Sequence, residues 1–387
     1  MIPYGRQDIT QADIDAVVDV LRSDFLTQGP AVPRFEQAVA QRVGAPHAVA
    51  VNSATSALHL ACLALDLQAG DLLWTVPNTF VASANCGRYC GADVDFVDID
   101  PVSWNISVPA LYEKLLVARR QGRLPKVLVA VHFAGQPTEQ EDIWRLAQEF
   151  GFRVIEDASH AIGAARNGEP VGSCRWSDIT VFSFHPVKII TSAEGGMATT
   201  RDAILAERMS LLRSHGITRD VKKFRNFGSN PPAWAYEQQQ LGYNYRMTDL
   251  QAALGTSQLE RLDSYVATRN AFALRYNDRL AHLPLNLPTV LPGNLSSFHL
   301  YVVRLQATAT RPNRRELFER LRGKGVGVNL HYMPVHLQPY YRDLGFTPGQ
   351  YPRAEQYADE AITLPLFAAM REAEQDVVIA ALGEALS

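Results

Sequence analysis

Between residues 36 and 200 short apolar segments alternate with amphipathic ones, and this alternation constrains the fold more than any other feature. Segments such as Val127-Leu128-Val129-Ala130-Val131 contain no polar residue, which is typical of strands buried on both faces. Strands that alternate with helices form a mostly parallel sheet with helices packed on it. The pattern therefore predicts an α/β fold with a mostly parallel central sheet.

The periodicity of apolar residues locates the individual elements. Helices are predicted after Thr10 and at 36–43, 55–66, 79–90, 108–119, 138–150, 248–282, 312–323 and 371–386, and strands at 47–52, 72–76, 94–98, 126–132, 153–157, 179–184, 196–200, 298–305 and 325–329. Thr138-Glu139-Gln140-Glu141 predicts a capping box at the start of one of these helices.

A polar segment at 217–242, centred on Asn230-Pro231-Pro232, interrupts the alternation. It predicts a long loop, and long loops inside compact domains are often functional. We expect two domains. Residues 1–247 would form an N-terminal segment and a large domain, and residues 248–387 a linking helix and a smaller C-terminal α+β domain.

Composition argues against several kinds of partner. The 387 residues carry a formal net charge of −3, which gives no electrostatic case for binding nucleic acid or an anionic membrane. The first residues do not form a basic and then apolar leader. The longest apolar run, 127–134, is too short to span a bilayer. We therefore expect a cytoplasmic protein.

The four cysteines are Cys62, Cys86, Cys90 and Cys174, and we expect no metal site from them. Only Cys86 and Cys90 are close in sequence, and three intervening residues without a second nearby pair do not make a zinc motif. We expect buried, reduced thiols.

One lysine, Lys188, follows an apolar run that ends at Phe184, and Asp157 ends another apolar run upstream. Apolar surroundings lower the pKa of an amine towards its reactive neutral form, and a buried carboxylate needs a cationic partner. Such a pair suits pyridoxal phosphate (PLP), because the amine can form a Schiff base with the cofactor while the carboxylate keeps the pyridine nitrogen protonated. The alternatives are a solvated lysine and an aspartate that caps the next helix.

A phosphate site is predicted at 52–56, where a strand runs through small hydroxylated residues into a helix. The N-terminus of a helix offers free N–H groups and partial positive charge. Thr55 and Ser56 can add hydroxyl donors, and Ser183 is a further candidate. The alternative is an ordinary Ser/Thr N-cap.

Two further side chains could touch the ring of such a cofactor. Phe80 follows a strand and could stack on the ring, and His160 could hydrogen-bond the ring hydroxyl. Taken singly, a phenylalanine or a histidine is more typical of a core or surface position.

Ordered motifs run through nearly the whole chain. They are Leu26-Thr27-Gln28-Gly29-Pro30 with Phe35-Glu36, Asn52-Ser53-Ala54-Thr55-Ser56-Ala57-Leu58, Pro77-Asn78-Thr79-Phe80-Val81-Ala82, His132-Phe133-Ala134-Gly135-Gln136-Pro137, Glu156-Asp157-Ala158-Ser159-His160-Ala161, Ser183-Phe184-His185 with Lys188 and Glu194-Gly195-Gly196, Arg213-Ser214-His215-Gly216, Gly242-Tyr243-Asn244-Tyr245-Arg246 and His299-Leu300-Tyr301. Together they resemble the DegT/StrS family of PLP-dependent sugar aminotransferases, which has the aspartate aminotransferase-like fold (PLP-dependent transferase fold type I).

The resemblance implies PLP as the cofactor and a role for each matched residue. Lys188 would be the Schiff-base lysine, Asp157 would pair with the pyridine nitrogen, and Phe80 would stack on the ring. Many members carry Gln where this chain has His160, which can make the same hydrogen bond to the ring hydroxyl but can also titrate. A dehydratase branch of the family has His in place of the lysine, and Lys188 argues against that branch.

The resemblance also implies how the phosphate and the substrates are bound. Thr55, Ser56 and Ser183 would hold the phosphate, and Asn244 would reach the phosphate of the neighbouring subunit's cofactor in a homodimer with shared active sites. The sugar-nucleotide site would be lined by Tyr4, Asp24, Phe25, Leu26, Thr27, Ala54, Asn329, Leu330, His331 and Tyr332.

Segments 3–7, 22–29 and 237–246 are most similar to the transaminases of pseudaminic acid synthesis. That similarity implies transfer of an amino group from L-glutamate to C4 of a UDP-linked 4-keto-6-deoxy-N-acetyl-hexosamine. Two alternatives remain: an aminotransferase for another keto nucleotide sugar, at C3 or of other stereochemistry, and a PLP-binding homologue without activity. A dinucleotide-binding oxidoreductase is excluded because no glycine fingerprint follows the first strand.

Overall fold

A computed structural model describes residues 1–227, 231–306 and 312–386, so Asn230 in the predicted loop lies outside the described residues. The helices in these ranges are α1 (Gln11–Leu21), α2 (Ala31–Val43), α3 (Ala54–Ala64), α4 (Ala82–Tyr89), α5 (Val108–Gln121), α6 (Gln140–Phe150), α7 (Ala203–Leu212), α8 (Asp249–Leu259), α9 (Leu262–Leu280), α10 (Arg314–Gly323), α11 (Pro339–Asp343), α12 (Pro352–Glu360) and α13 (Glu372–Leu386). The strands are β1 (His47–Val51), β2 (Leu72–Thr75), β3 (Asp93–Phe96), β4 (Val127–Val131), β5 (Arg153–Asp157), β6 (Ala165–Arg166), β7 (Glu169–Pro170), β8 (Ile179–Ser183), β9 (Gly196–Thr200), β10 (Ile217–Thr218), β11 (Glu237–Gln238), β12 (Leu285–Asn286), β13 (Asn294–Leu295), β14 (Tyr301–Leu305) and β15 (Ala361–Leu364).

A seven-stranded sheet in the order β1-β9-β8-β5-β4-β2-β3 forms the centre of the fold. Strands β3, β2, β4, β5 and β8 pair in parallel, and β9 runs antiparallel between β8 and β1. Every residue of β4 and β8 is buried, which explains their continuous apolar sequences. The predicted α/β fold with a mostly parallel central sheet is confirmed.

Both faces of this sheet are covered, and the alternation of side chains along β8 shows how. Val181 belongs to an apolar core that includes Leu58 of α3. Its neighbour Phe182 belongs to a second core that includes Phe35 and Val39 of α2. Successive residues of a strand point to opposite faces, so α3 and α2 pack on opposite sides of the sheet.

The carboxyl ends of the parallel strands meet at one edge of the sheet. Strand β4 ends at Val131, β5 at Asp157 and β8 at Ser183. Strand β1 runs in the same direction as β8, because both are antiparallel to β9. Ligands of open α/β sheets bind outside this edge, so the topology places the predicted aspartate and serine where a ligand would bind.

The predicted single helix at 248–282 is wrong, because α8 ends at Leu259 and α9 begins at Leu262. Between them Arg261 donates to both carboxylate oxygens of Asp13 on α1, at 2.7 and 2.6 Å. The carboxylate of Asp13 is 1% exposed. This long-range ion pair holds α1 against the junction between α8 and α9. The periodicity of the local sequence does not indicate it.

The C-terminal part of the chain contains a small antiparallel sheet in the order β12-β14-β15. Helix α10 packs against β15 and α13, and α13 packs against α9. A domain boundary between residues 247 and 248 stays a prediction. None of the helices in the described ranges combines the length and hydropathy that crossing a bilayer requires.

The strand predicted at 325–329 is also wrong. Its place is taken by isolated bridges, from Val326 to Ile2 and from Asn329 to Thr363. The two bridges lead to different parts of the chain, so no continuous ladder forms. The N-terminus of the chain therefore lies against this segment, an arrangement that local periodicity does not encode.

The capping box predicted at Thr138 does not form. Helix α6 begins at Gln140 after Glu139, and no side chain caps it. The backbone N–H of Thr138 instead donates to His132 Nδ1 at 3.0 Å, and the amide of Gln140 donates to Glu156. These tertiary partners replace the local ones. The predicted helix at 36–43 begins earlier, at Ala31.

Candidate active site

A cavity of about 300 Å³ lies at the carboxyl edge of the central sheet. Ten of the predicted site residues line it: Tyr4, Ala54, Thr55, Phe80, Asp157, His160, Ser183, Lys188, His331 and Tyr332. These residues come from the N-terminus, the central sheet and the C-terminal part of the chain. The fold therefore brings together most of what the motifs predicted separately.

Lys188 is the only lysine in the lining of this cavity, and no arginine lines it in the described part of the chain. Burial lowers the pKa of the Lys188 amine to about 8, although the charge of Asp157 raises it. A sizeable fraction of the amine is therefore neutral near pH 8, the form in which an amine acts as a nucleophile or as a proton acceptor.

Asp157 ends β5 and is buried. Its Oδ2 accepts a hydrogen bond from the Ser83 hydroxyl at 2.6 Å, and its Oδ1 accepts one from the backbone N–H of Ser159 at 3.1 Å. The Ser83 hydroxyl is also 2.8 Å from that of Thr79. Both donors to the carboxylate are neutral side-chain or backbone groups, so the carboxylate has no cationic partner among these hydrogen bonds and suits a cationic ligand atom.

Ser83 was not predicted as a site residue. It lies on α4, far from Asp157 in the sequence, and it belongs to no motif recognised above. A hydrogen bond to a charged group is worth about 1.5–3 kcal/mol, so Ser83 is a substantial part of the carboxylate's environment. Only the packing of α4 against the sheet reveals it.

His160 has partners on both ring nitrogens. The backbone N–H of Ala134 donates to Nδ1 at 3.3 Å, and Nε2 lies 3.0 Å from the hydroxyl of Tyr332. Because Nδ1 accepts, the ring proton belongs on Nε2. Burial holds the pKa of His160 well below its ordinary value, and the charges of Lys188 and His331 lower it further. The residue is therefore neutral, and its bond to a cofactor hydroxyl stays a prediction.

His299 and His331 also line the cavity near His160. The ring of His299 lies 4.5 Å from that of His160, and the ring of His331 lies 5.4 Å from that of Tyr4. Burial lowers the pKa of His331 to about 3, and the charge of Lys188 contributes. The pKa of His299 is also held well below its ordinary value by burial. Among the described residues that line the cavity, Lys188 is the only lysine or arginine.

The predicted phosphate site lies at the N-terminus of α3. Ser53 is the N-cap, and its hydroxyl accepts from the backbone N–H of Ser56 at 3.2 Å. The Ser56 hydroxyl donates to Asn52 Oδ1 at 2.7 Å, so it stabilises the turn and does not line the cavity. Ala54 and Thr55 do line it. The first turn of α3 thus offers unpaired backbone N–H groups and partial positive charge to an anion.

A close backbone approach supports this turn. A Cβ added to Gly196 on β9 would lie 2.5 Å from the nitrogen of Ala54 and from the carbonyl of Ser53. A larger residue at 196 would therefore displace the start of α3. Together, a lysine of lowered pKa, a carboxylate with neutral donors and a helix N-terminus in one cavity fit the aldehyde, pyridine and phosphate groups of PLP.

Eight predicted site residues do not line the cavity in this chain: Ser56, Asp24, Phe25, Leu26, Thr27, Asn244, Asn329 and Leu330. Asn329 is close to it, because its side chain hydrogen-bonds Tyr4. Thr27 instead bridges Thr248 at the start of α8, and Asn244 bridges Ser214. Their predicted roles in binding the cofactor or the sugar nucleotide stay predictions.

Comparison with known proteins gives whole-length matches. The family model of the DegT/DnrJ/EryC1/StrS aminotransferase family matches residues 7–383. SpsC of Bacillus subtilis, a spore coat polysaccharide biosynthesis protein, is 37% identical over 384 residues, which cover 98% of this chain and 96% of SpsC.

Solved structures agree with this match. PseC of Helicobacter pylori, an aminotransferase involved in the biosynthesis of pseudoaminic acid, superimposes with a TM-score of 0.89 at 30% identity, covering 100% of this chain and 99% of PseC. Spr1654 of Streptococcus pneumoniae, solved in its PMP form, gives a TM-score of 0.89 at 29% identity with the same coverage. The predicted fold, fold type I of the PLP-dependent transferases, is confirmed by these matches.

Proposed function

The chain belongs to the DegT/DnrJ/EryC1/StrS aminotransferase family, and on that premise we propose a specific amino transfer. The protein is a PLP-dependent sugar aminotransferase. The proposed reaction moves the amino group of L-glutamate to C4 of a UDP-linked 4-keto-6-deoxy-N-acetyl-hexosamine, as in pseudaminic acid synthesis. The similarity to PseC and the motifs at 3–7, 22–29 and 237–246 support this substrate. The expected location is the cytoplasm.

The observation that carries the proposal is the placement of Lys188 and Asp157 in one buried cavity. When bound, PLP supplies an electron sink for the electrons of the carbon–hydrogen bond that is broken. Lys188 would hold the cofactor and, once released, carry a proton to and from the reacting carbon. Its pKa of about 8 suits that task near neutral pH. Asp157 would balance the positive charge of the pyridine nitrogen.

The amino transfer is tested by replacing the lysine. Lys188→Ala should abolish glutamate-dependent amination and the covalent attachment of PLP, measured by borohydride reduction followed by mass spectrometry. Lys222→Ala, at an exposed position, is the matched control and should retain both. A Lys188→Ala protein that still aminates sugars would contradict the proposed role.

The substrate is tested with a panel of UDP-keto-sugars. We expect 4-keto-6-deoxy sugars to be aminated with a higher kcat/KM than 3-keto sugars, with the position of the new amine read by NMR. Faster amination of 3-keto sugars would favour the alternative aminotransferase. Covalent attachment of PLP without amination of any sugar would favour a non-catalytic homologue.

We further infer that the active unit is a homodimer with shared sites. Glutamate and UDP carry several negative charges, whereas the described residues that line the cavity of one chain include a single lysine and no arginine. Large apolar side chains are exposed outside the cavity, including Phe25 at 53%, Trp234 at 74% and Leu241 at 79%. A second copy could cover these side chains and contribute Asn244 and Arg246, two residues further along, to the neighbouring cavity.

Complementation tests the shared site. Asn244→Ala should weaken retention of PLP, because its amide would contact the phosphate of the neighbouring subunit. Mixed with Lys188→Ala protomers, it should regain roughly one functional site per heterodimer. An absence of regained activity, or a monomer in sedimentation velocity, would contradict the inference.

A further inference from the structure

Three of the four cysteines meet one histidine where α3 packs against α4. We call His59, Cys62, Cys86 and Cys90 the thiol cluster. Cys62 interacts with both Cys86 and Cys90, and these contacts raise the pKa of its thiol well above its ordinary value. The side chains of Cys62 and Cys86 are fully buried, whereas Cys90 is half-buried, and all three are free thiols. The cluster therefore has two inner sulfurs and one that solvent can reach.

This cluster could not be predicted from the sequence. His59 and Cys62 are three residues apart on α3, and Cys86 and Cys90 are four apart at the end of α4. Such spacings put each pair on one face of its helix, and the packing of the helices brings the faces together. In the described ranges, no group of three or more His, Cys, Asp or Glu side chains has a geometry that could hold a metal ion. Thiol reactivity is therefore the chemistry to consider.

The thiol of Cys90 has a lowered pKa. A hydrogen bond with Cys62 lowers the pKa of the Cys90 thiol to about 6, burial opposes this, and His59 lowers the pKa further. The carbonyl end of α4 disfavours an anion at this position, so these partners must outweigh it. A thiol of such a pKa is largely deprotonated at neutral pH, and the thiolate is the reactive form.

The surroundings of His59 also favour a negative charge on Cys90. Its ring is buried, Nδ1 lies 3.2 Å from the hydroxyl of Tyr245, and Nε2 has no hydrogen-bond partner. If Tyr245 donates to Nδ1, the ring proton belongs on Nε2. A thiolate on Cys90 would give this buried N–H the acceptor that it lacks, and a buried unpaired donor is costly.

Cys174 shows the opposite environment and provides a control. It is buried beside the hydroxyls of Thr180 and Thr199, at 3.3 and 3.5 Å. Burial raises the pKa of its thiol to about 11. Buried thiols of this kind are inert, so the chain contains its own internal reference.

We propose that Cys90 is a hydroperoxide-reactive thiol and that Cys62 is its resolving partner. The thiolate sulfur of Cys90 attacks one peroxide oxygen, the O–O bond breaks, and the leaving hydroxide takes up a proton to form water. Cys90 is then a sulfenic acid. The sulfur of Cys62 attacks the sulfur of Cys90, the S–O bond breaks, and a second water leaves. The two thiols lose two electrons to the peroxide and end as a Cys62–Cys90 disulfide.

The test treats the holoenzyme with hydrogen peroxide, blocks free thiols by alkylation, and maps peptides by mass spectrometry without reduction. We expect a Cys62–Cys90 cross-link lacking two hydrogen atoms, with Cys174 unmodified. In Cys62→Ser, Cys90 should stop at the sulfenic acid, which dimedone traps. Cys174→Ser is the matched control and should leave the cross-link unchanged. Oxidation of Cys174 at the rate of Cys90, or no cross-link, would overturn the proposal.

A second measurement needs no variant. The rate at which iodoacetamide alkylates Cys90 in the wild-type holoenzyme should reach half its maximum near the pKa of about 6. A midpoint at about pH 8.5, the ordinary value for a cysteine, would refute the activated thiolate. Neither measurement depends on aminotransferase activity, so failure here leaves the proposed function separately testable.

Discussion

The burial of Lys188 should make the apoenzyme less stable than a variant without the charge. Lys188→Met replaces the ammonium by an apolar side chain of similar length. Burial lowers the pKa of this lysine from 10.5 to about 8 in the folded protein. The folded state therefore binds the proton more weakly than the unfolded state, and the charged lysine opposes folding.

The magnitude follows from the two pKa values. A difference of one pKa unit corresponds to about 1.4 kcal/mol, so the gap between 10.5 and about 8 costs about 3 kcal/mol. Below pH 8 the lysine is protonated in both states and the full cost is present. Between pH 8 and 10.5 the lysine is neutral in the folded state and still protonated in the unfolded state, so the cost decreases as pH rises. Above pH 10.5 the lysine is neutral in both states and the cost is gone.

Urea denaturation of the apoenzymes measures this effect at a fixed protein concentration. At pH 7 we expect Lys188→Met to be more stable than wild type by up to about 3 kcal/mol. The packing of methionine also changes the free energy of unfolding, but that contribution does not depend on pH. The effect of the ammonium is therefore the part of the stability difference that disappears between pH 8 and 10.5. Lys222→Met, at an exposed position, should show little change at either pH.

A gain in stability that is the same at pH 7 and pH 10 would refute the reasoning, because only the buried charge supplies the pH dependence. If the prediction holds, the apoenzyme is less stable because Lys188 is buried, and the same burial makes its amine reactive.

Three further predictions test the surroundings of the site. Gly196→Ala should lower both stability and PLP affinity, since its Cβ would lie 2.5 Å from backbone atoms at the start of α3; Gly323→Ala, with no atom within 4 Å of the added carbon, is the matched control. Ser83→Ala removes a hydrogen bond worth about 1.5–3 kcal/mol from Asp157, so kcat/KM should fall about 10–100-fold while PLP stays bound; unchanged kinetics would dismiss Ser83 as a positioning residue. Asp13→Ala should destabilise the protein by about 2–3 kcal/mol at pH 7, because it removes the ionic partner of a partly buried arginine and the pKa of Asp13 lies about two units below its ordinary value. Burial opposes ionisation of Asp13, but its arginine and serine partners lower the pKa to about 2, so the difference should shrink as pH falls from about 4 to 2 in urea titrations.

Much of the site was predictable because burial is visible in local sequence. A strand covered on both faces reads as an uninterrupted apolar run, so a charged residue at its end, such as Asp157, is conspicuous. The hydroxylated start of α3 is local in the same way. Lys188, after the apolar run of β8, could thus be matched to a chemistry before the fold was known.

Other features depend on contacts between distant segments. Ser83 bonds Asp157 only because α4 packs on the sheet. The break after Leu259 allows Arg261 to pair with Asp13, 248 residues away in sequence. Such contacts do not show in the periodicity of apolar residues along the sequence. They also routinely override the local propensity for helix or strand.

The sequence by itself determined the α/β class and the family resemblance, and it singled out Lys188 as the predicted Schiff-base lysine, because each rests on short segments with a characteristic pattern. Only the tertiary structure decided that His160 is neutral, that Ser83 supports the carboxylate and that Cys90 faces Cys62 and His59. The physical reason is that the pKa of a side chain depends on the dielectric and the charges around it, and those come from every part of the chain at once.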